Sequence, residues 1–107
     1  MTLREQILAK DDKKRVPVEV PEWGLTVWVQ SMSGADRESF DELISKAPHQ
    51  LWIRSVVLCA CEEDGTRLFP DSVTDQVKAK SAAALERIAK AALAVSGLQK
   101  TEEVAGN

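Results

Sequence analysis

Apolar positions recur along this chain at two different periods. Near the start, Leu3, Ile7 and Leu8 share one side of a helix running from Thr2 to Ala9. Thr2, three residues before Glu5, has the spacing of a capping box. Lys10 to Arg15 (KDDKKR) is charged throughout and reads as a solvated linker. The period then drops to two. Val16, Val18 and Val20 alternate with Pro17 and Glu19, and Leu25, Val27 and Val29 alternate with Thr26, Trp28 and Gln30. With Pro21-Glu22-Trp23-Gly24 between them, the two runs predict a β-hairpin. Pro17 lacks an N–H, which places the first strand at an edge. A lone hairpin is marginal in water, so this one needs a helix, a further strand or another subunit beside it. Trp28 lies opposite the Leu25/Val27/Val29 face, so both sides of the ribbon carry apolar surface.

The helical period returns at Ser33. Phe40, Leu43, Ile44 and Ala47 fall at i, i+3, i+4 and i+7, predicting a helix from Ser33 to Lys46. Ser33 is a good N-cap with Asp36 three residues on. Leu51 to Cys61 (LWIRSVVLCAC) is apolar on nearly every side. Periodicity alone cannot separate a buried helix from a long strand there. Pro48 and the lack of strict alternation favour a helix, which would be the central element. Glu62-Glu63-Asp64-Gly65 reads as a turn, and Arg67-Leu68-Phe69 as an extended piece before Pro70. A short helix follows from Asp71 or Ser72 to about Lys80. Ser81 opens the clearest helix, with Leu85, Ile88, Ala89 and Ala92 on one face, a Glu86–Lys90 pair on another, and Gly97 as its C′ residue. The fold class is a small, mostly helical α+β domain of four to five helices and one N-terminal hairpin. It occupies residues 1–98 as a single domain, and 99–107 is a polar, flexible tail.

Composition narrows the function. The chain has 107 residues and a net charge of −3, so it has no basic footprint for nucleic acid. The last helix could pair with its predecessor as a DNA-reading motif, but it offers only Arg87 and Lys90 as cations. No apolar run approaches the ~20 residues of a membrane helix, and MTLREQ has no apolar signal segment. The expectation is a cytosolic protein without membrane contact. The single histidine, His49, has no catalytic partner nearby. Cys59 and Cys61 on one helix would point about 200° apart, and no second Cys/His pair completes a metal site. The acidic turn lacks the spacing of a calcium loop. No catalytic residue, cofactor or metal is expected, and the chain reads as no enzyme.

Four stretches in order carry a resemblance: TLREQILAKDD, VEVPEWGLTVWVQSMSGADRESFDE, LWIRSVVLCACEEDGTRLF and KSAAALERIAKAALAVSGL. Together they resemble the tail assembly chaperones of long-tailed bacteriophages and prophages. The resemblance implies a non-enzymatic protein of the host bacterial cytoplasm, absent from the mature virion. It would bind the tape measure protein and keep it soluble during tail morphogenesis. It further implies self-association, and a longer frameshifted form that engages the tail tube protein. A chaperone for a long amphipathic helix needs exposed apolar surface, and the hairpin is the best candidate. Trp23, Leu25, Val27 and Trp28 are therefore the expected partner-binding residues. The alternative use of Trp23, Trp28 and Trp52 is packing on the domain's own helices. The alternative function is an adaptor subunit of another cytosolic complex.

Overall fold

The computed structural model describes residues 1–98, which form five α-helices and a three-stranded antiparallel sheet. This is the mostly helical α+β architecture that the two periods predict. The tail expected over 99–107 lies outside the described residues.

Helix α1 (Leu3–Ala9) is closed at its N-terminus by the expected capping box. The Thr2 hydroxyl accepts from the Glu5 amide at 3.2 Å, and the Glu5 carboxylate accepts from the Thr2 amide at 3.2 Å. None of its residues is buried. The charged linker follows, exposed along Lys10 to Lys14. Strands β1 (Arg15–Val20) and β2 (Leu25–Gln30) form the hairpin, with Val16 opposite Val29, Val18 opposite Val27 and Val20 opposite Leu25. Directly opposed residues share a face. The face carrying these pairs is the one on which helix α5 (Ala82–Val95) packs. In the turn, the Trp23 amide donates to the Val20 carbonyl at 3.0 Å, and Gly24 takes the left-handed conformation at φ 63°. That conformation costs a residue without a Cβ little.

Helix α2 (Gly34–Lys46) begins at Ser33. The Ser33 hydroxyl accepts from the Asp36 amide at 3.1 Å, and the Asp36 carboxylate accepts from the Ser33 amide at 3.3 Å. Replacing Ser33 by Ala leaves that amide donor unpartnered and is expected to lower the unfolding free energy by about 1 kcal/mol. Urea denaturation checks this, with Ser33→Asp as the variant that retains the cap. A 3-10 turn at Pro48–Gln50 leads into helix α3 (Leu51–Cys59), which is central, with Ser55, Val56, Val57, Leu58 and Cys59 all buried.

The chain departs from expectation at the end of α3. The helix stops at Cys59, and Ala60–Cys61 form a short strand, β3, paired antiparallel with β2 at Trp28↔Cys61 and Val29↔Ala60. Both residues are fully enclosed, so an all-apolar sequence here marks a strand buried on both faces. The hairpin thus acquires the further strand it needs. Cys59 and Cys61 belong to different elements and are both free and buried. Burial pushes the Cys59 thiol up to about 12, which suits a packing residue.

A 3-10 turn at Asp71–Val73 precedes helix α4 (Thr74–Lys78). Helix α5 buries Ala84, Leu85, Ile88, Ala89, Ala92 and Leu93 against the sheet and α3. Its end is a Schellman motif: the Leu98 amide donates to the Leu93 carbonyl and the Gly97 amide to the Ala94 carbonyl, with Gly97 at φ 83°. The Glu86–Lys90 pair forms at 3.4 Å on the outer face.

Candidate functional site: an apolar groove at the hairpin tip

The hairpin turn does not stand free. Trp23 packs against the core at partial exposure, and the Arg87 guanidinium of α5 donates to the Glu22 carboxylate, tying the turn to that helix. Beside the turn, the segment after β3 crosses the molecule as Leu68-Phe69-Pro70. Between the two runs a groove of about 470 Å³. Trp23 and Leu25 form one wall, Leu68, Phe69, Pro70 and Val73 the other, and Val77 closes the floor, with Gln76 and Lys80 supplying the polar atoms. Val77 is buried, but Leu25 is 60% exposed. An aliphatic side chain on a strand and that open to water is free to contact a partner.

Two arginines hold the far wall in place. Arg54 of α3 donates through Nη1 to Asp71 Oδ1 at 2.9 Å and through Nη2 to the Ser39 hydroxyl at 3.0 Å. Arg67 donates through Nε to the Val57 carbonyl at 2.9 Å and through Nη2 to the same Asp71 oxygen at 2.6 Å. The wall is therefore fastened to α3 at both ends, through Arg67 to Val57 and through Asp71 to Arg54, which also holds Ser39 of α2. The Arg54 hydrogen bond, followed by that from Arg67, holds the Asp71 carboxyl below its usual range. A depressed folded-state pKa stabilises above the unfolded carboxyl value and loses that contribution as pH falls through the folded one. Asp71→Asn is thus expected to destabilise at neutral pH, with a difference that shrinks as pH falls through the carboxylate range and vanishes once the folded-state carboxyl is itself protonated. The Asp71 side chain is 65% exposed, so the effect is small. Denaturation midpoints of the two proteins at neutral and acid pH measure it.

The groove contains no nucleophile–base pair. Its capacity is to bury apolar surface, as grooves that receive amphipathic helices do. No protein-family model and no curated protein matches the chain. Among solved structures, it is similar to the tail assembly chaperone of bacteriophage HK97. The TM-score is 0.64 and the identity 24%, over 87% of this chain and 91% of that one. The fold is that of a phage tail assembly chaperone.

Within this tail-assembly-chaperone fold, the four expected partner-binding residues separate into three environments. Trp23 and Leu25 meet in the groove. Val27 is only 7% exposed and belongs to the core. Trp28 is half-buried on the opposite face of the sheet, flanked by Pro17 and Cys61 on the neighbouring strands. Its ring therefore lies away from both the groove and α5. Trp52, by contrast, packs on the core. The sequence reading missed the second wall. Leu68, Phe69 and Pro70 are three apolar residues in a stretch with no helical or strand period, and that was the available signal. His49 lies exposed in the turn before α3. Among the described residues, no group of three or more His, Cys, Asp or Glu side chains is arranged to hold a metal ion. No described helix is long and apolar enough to cross a membrane.

Proposed function

We propose that this protein is a non-enzymatic tail assembly chaperone that binds the tape measure protein and keeps it soluble during tail morphogenesis. The observation that carries the reading is the apolar groove, open at Leu25 and set in a tail-assembly-chaperone fold. A tape measure protein is a long amphipathic helix, and each of its apolar stripes offers side chains at i, i+3 and i+4 that fit such a groove. Trp23 supplies the wide apolar wall typical of a binding hot spot, and Lys80 at the rim meets the helix's polar flank. Trp28 adds a second contact on the other face of the hairpin. The chaperone acts in the host bacterial cytoplasm as a self-associating protein, leaves before the virion matures, and works with a longer frameshifted form that recruits tail tube protein.

Co-expression with the cognate tape measure protein tests this. The expected result is a shift of the tape measure protein from the pellet to the soluble fraction. Equal insolubility with and without this chain refutes the reading.

A further inference from the structure

We propose that the outer face of the sheet, centred on Trp28, is a second interaction surface, and that it receives an arginine- or lysine-bearing segment of a partner protein. This face lies on the side of the hairpin away from α5, and the inference stands whether or not the groove holds a client helix. The register builds the face in three rows. Arg15 and Gln30 form the first, Pro17, Trp28 and Cys61 the second, and Glu19 and Thr26 the third. Cys61 is enclosed, Pro17 is exposed, and Trp28 keeps part of its indole open to solvent. Trp23 and Trp52 pack against the hydrophobic core, and Trp28 does not. Its ring is therefore the apolar centre of a face that no described helix covers.

Carboxylates stand at both ends of that centre. The turn after β3 folds back over the first row. The Gln30 side-chain amide donates to the Gly65 carbonyl at 3.0 Å, and the Arg15 guanidinium lies so close to Gly65 that a Cβ there would sit 2.7 Å from its Nε. This brings Glu62, Glu63 and Asp64, all exposed, to the first-row end. At the third row the Thr26 hydroxyl donates to the Glu19 carboxylate at 2.8 Å. None of these four carboxylates enters an ion pair among the described residues. The cations of the face are already engaged: Arg15 by Asp11 at 2.6 Å, and Arg67, opposite Cys61, by the Val57 carbonyl and Asp71. The adjoining linker is nearly balanced, with Lys10, Lys13 and Lys14 against Asp11 and Asp12. An indole between free carboxylates repels nucleic acid and anionic membranes and attracts a cationic segment. An arginine or lysine laid over the indole gains from the negative face of the ring. The first and third rows are four residues apart, or ~13 Å along the strands, so the segment carries further cations about that far apart to reach both ends.

Titration of the isotope-labelled full chain with a nona-arginine peptide, followed by the indole N–H resonances, tests the surface. Wild type is expected to bind, with the Trp28 resonance shifting and those of Trp23 and Trp52 unmoved. Trp28→Leu is expected to weaken binding about threefold. The triple variant Glu19→Gln/Glu62→Gln/Glu63→Gln is expected to weaken it about tenfold. That variant alters only exposed side chains, so it carries the test if Trp28→Leu unfolds. Glu38→Gln/Asp75→Asn/Glu86→Gln removes the same charge from the helices and is expected to bind as wild type does. The inference is overturned if wild type does not bind, if folded Trp28→Leu binds equally well, or if the helix variant loses as much affinity as the variant of the face. A shift at Trp23 in place of Trp28 overturns it as well.

Discussion

Replacing Leu25 by Glu is expected to weaken client binding about ten- to a hundredfold while changing the unfolding free energy by less than about 1 kcal/mol. Both halves follow from position. Leu25 is 60% exposed at the end of β2, opposite Val20, so the folded chain gains little from its side chain. In a complex the same side chain is enclosed between Trp23 and the arriving helix. A carboxylate there must be stripped of water without a partner, which opposes binding. Titration of a fluorescently labelled amphipathic segment of the tape measure protein gives the affinity ratio, and urea denaturation gives the stability change. Unchanged affinity would remove Leu25 from the interface.

Replacing Phe40 by Ala has the opposite profile. Phe40 is 1% exposed and is the one buried residue of α2, which packs beside α3 with Leu43 and Ile44 partly buried against the same core. Truncating a buried Phe costs about 3–5 kcal/mol, because the cavity closes only in part. A small domain has roughly 5–15 kcal/mol in total, so this variant should approach the threshold of unfolding. The expected urea transition moves to much lower denaturant with its slope retained. A loss below about 1 kcal/mol would mean that the α2–α3 contact does not depend on this ring. The polar outer face of α2, with its Arg37–Asp41 and Lys46–Glu42 pairs, contributes far less.

The contrast between Leu25 and Phe40 also marks how far the sequence can be read. Both lie in apolar patterns of similar strength. The helices were legible because their caps and stripes are local: Thr2 with Glu5, Ser33 with Asp36, and Gly97 after α5 each form the motif their spacing predicts. Strand β3 was not, because Ala60 and Cys61 prolong an unbroken apolar run in which helix and strand look alike. The groove was half legible. Trp23 and Leu25 stand out in an alternating hairpin, whereas Leu68, Phe69 and Val73 become a wall only when Arg67 and Arg54, the latter 17 residues earlier on α3, fasten Asp71. Val27 and Trp28 show the limit of alternation. It assigns them correctly to opposite faces, but which face is covered depends on where α5 lands.

Affinity purification most directly tests the central claim, that Leu25 and its groove hold the tape measure protein. Tagged full-length chain, wild type or Leu25→Glu, is co-expressed with the cognate tape measure protein and recovered from the soluble fraction. The expected result is co-purification with wild type and its loss with Leu25→Glu, while the two proteins have matching circular dichroism. Equal recovery of the tape measure protein by both, or by neither, would contradict it.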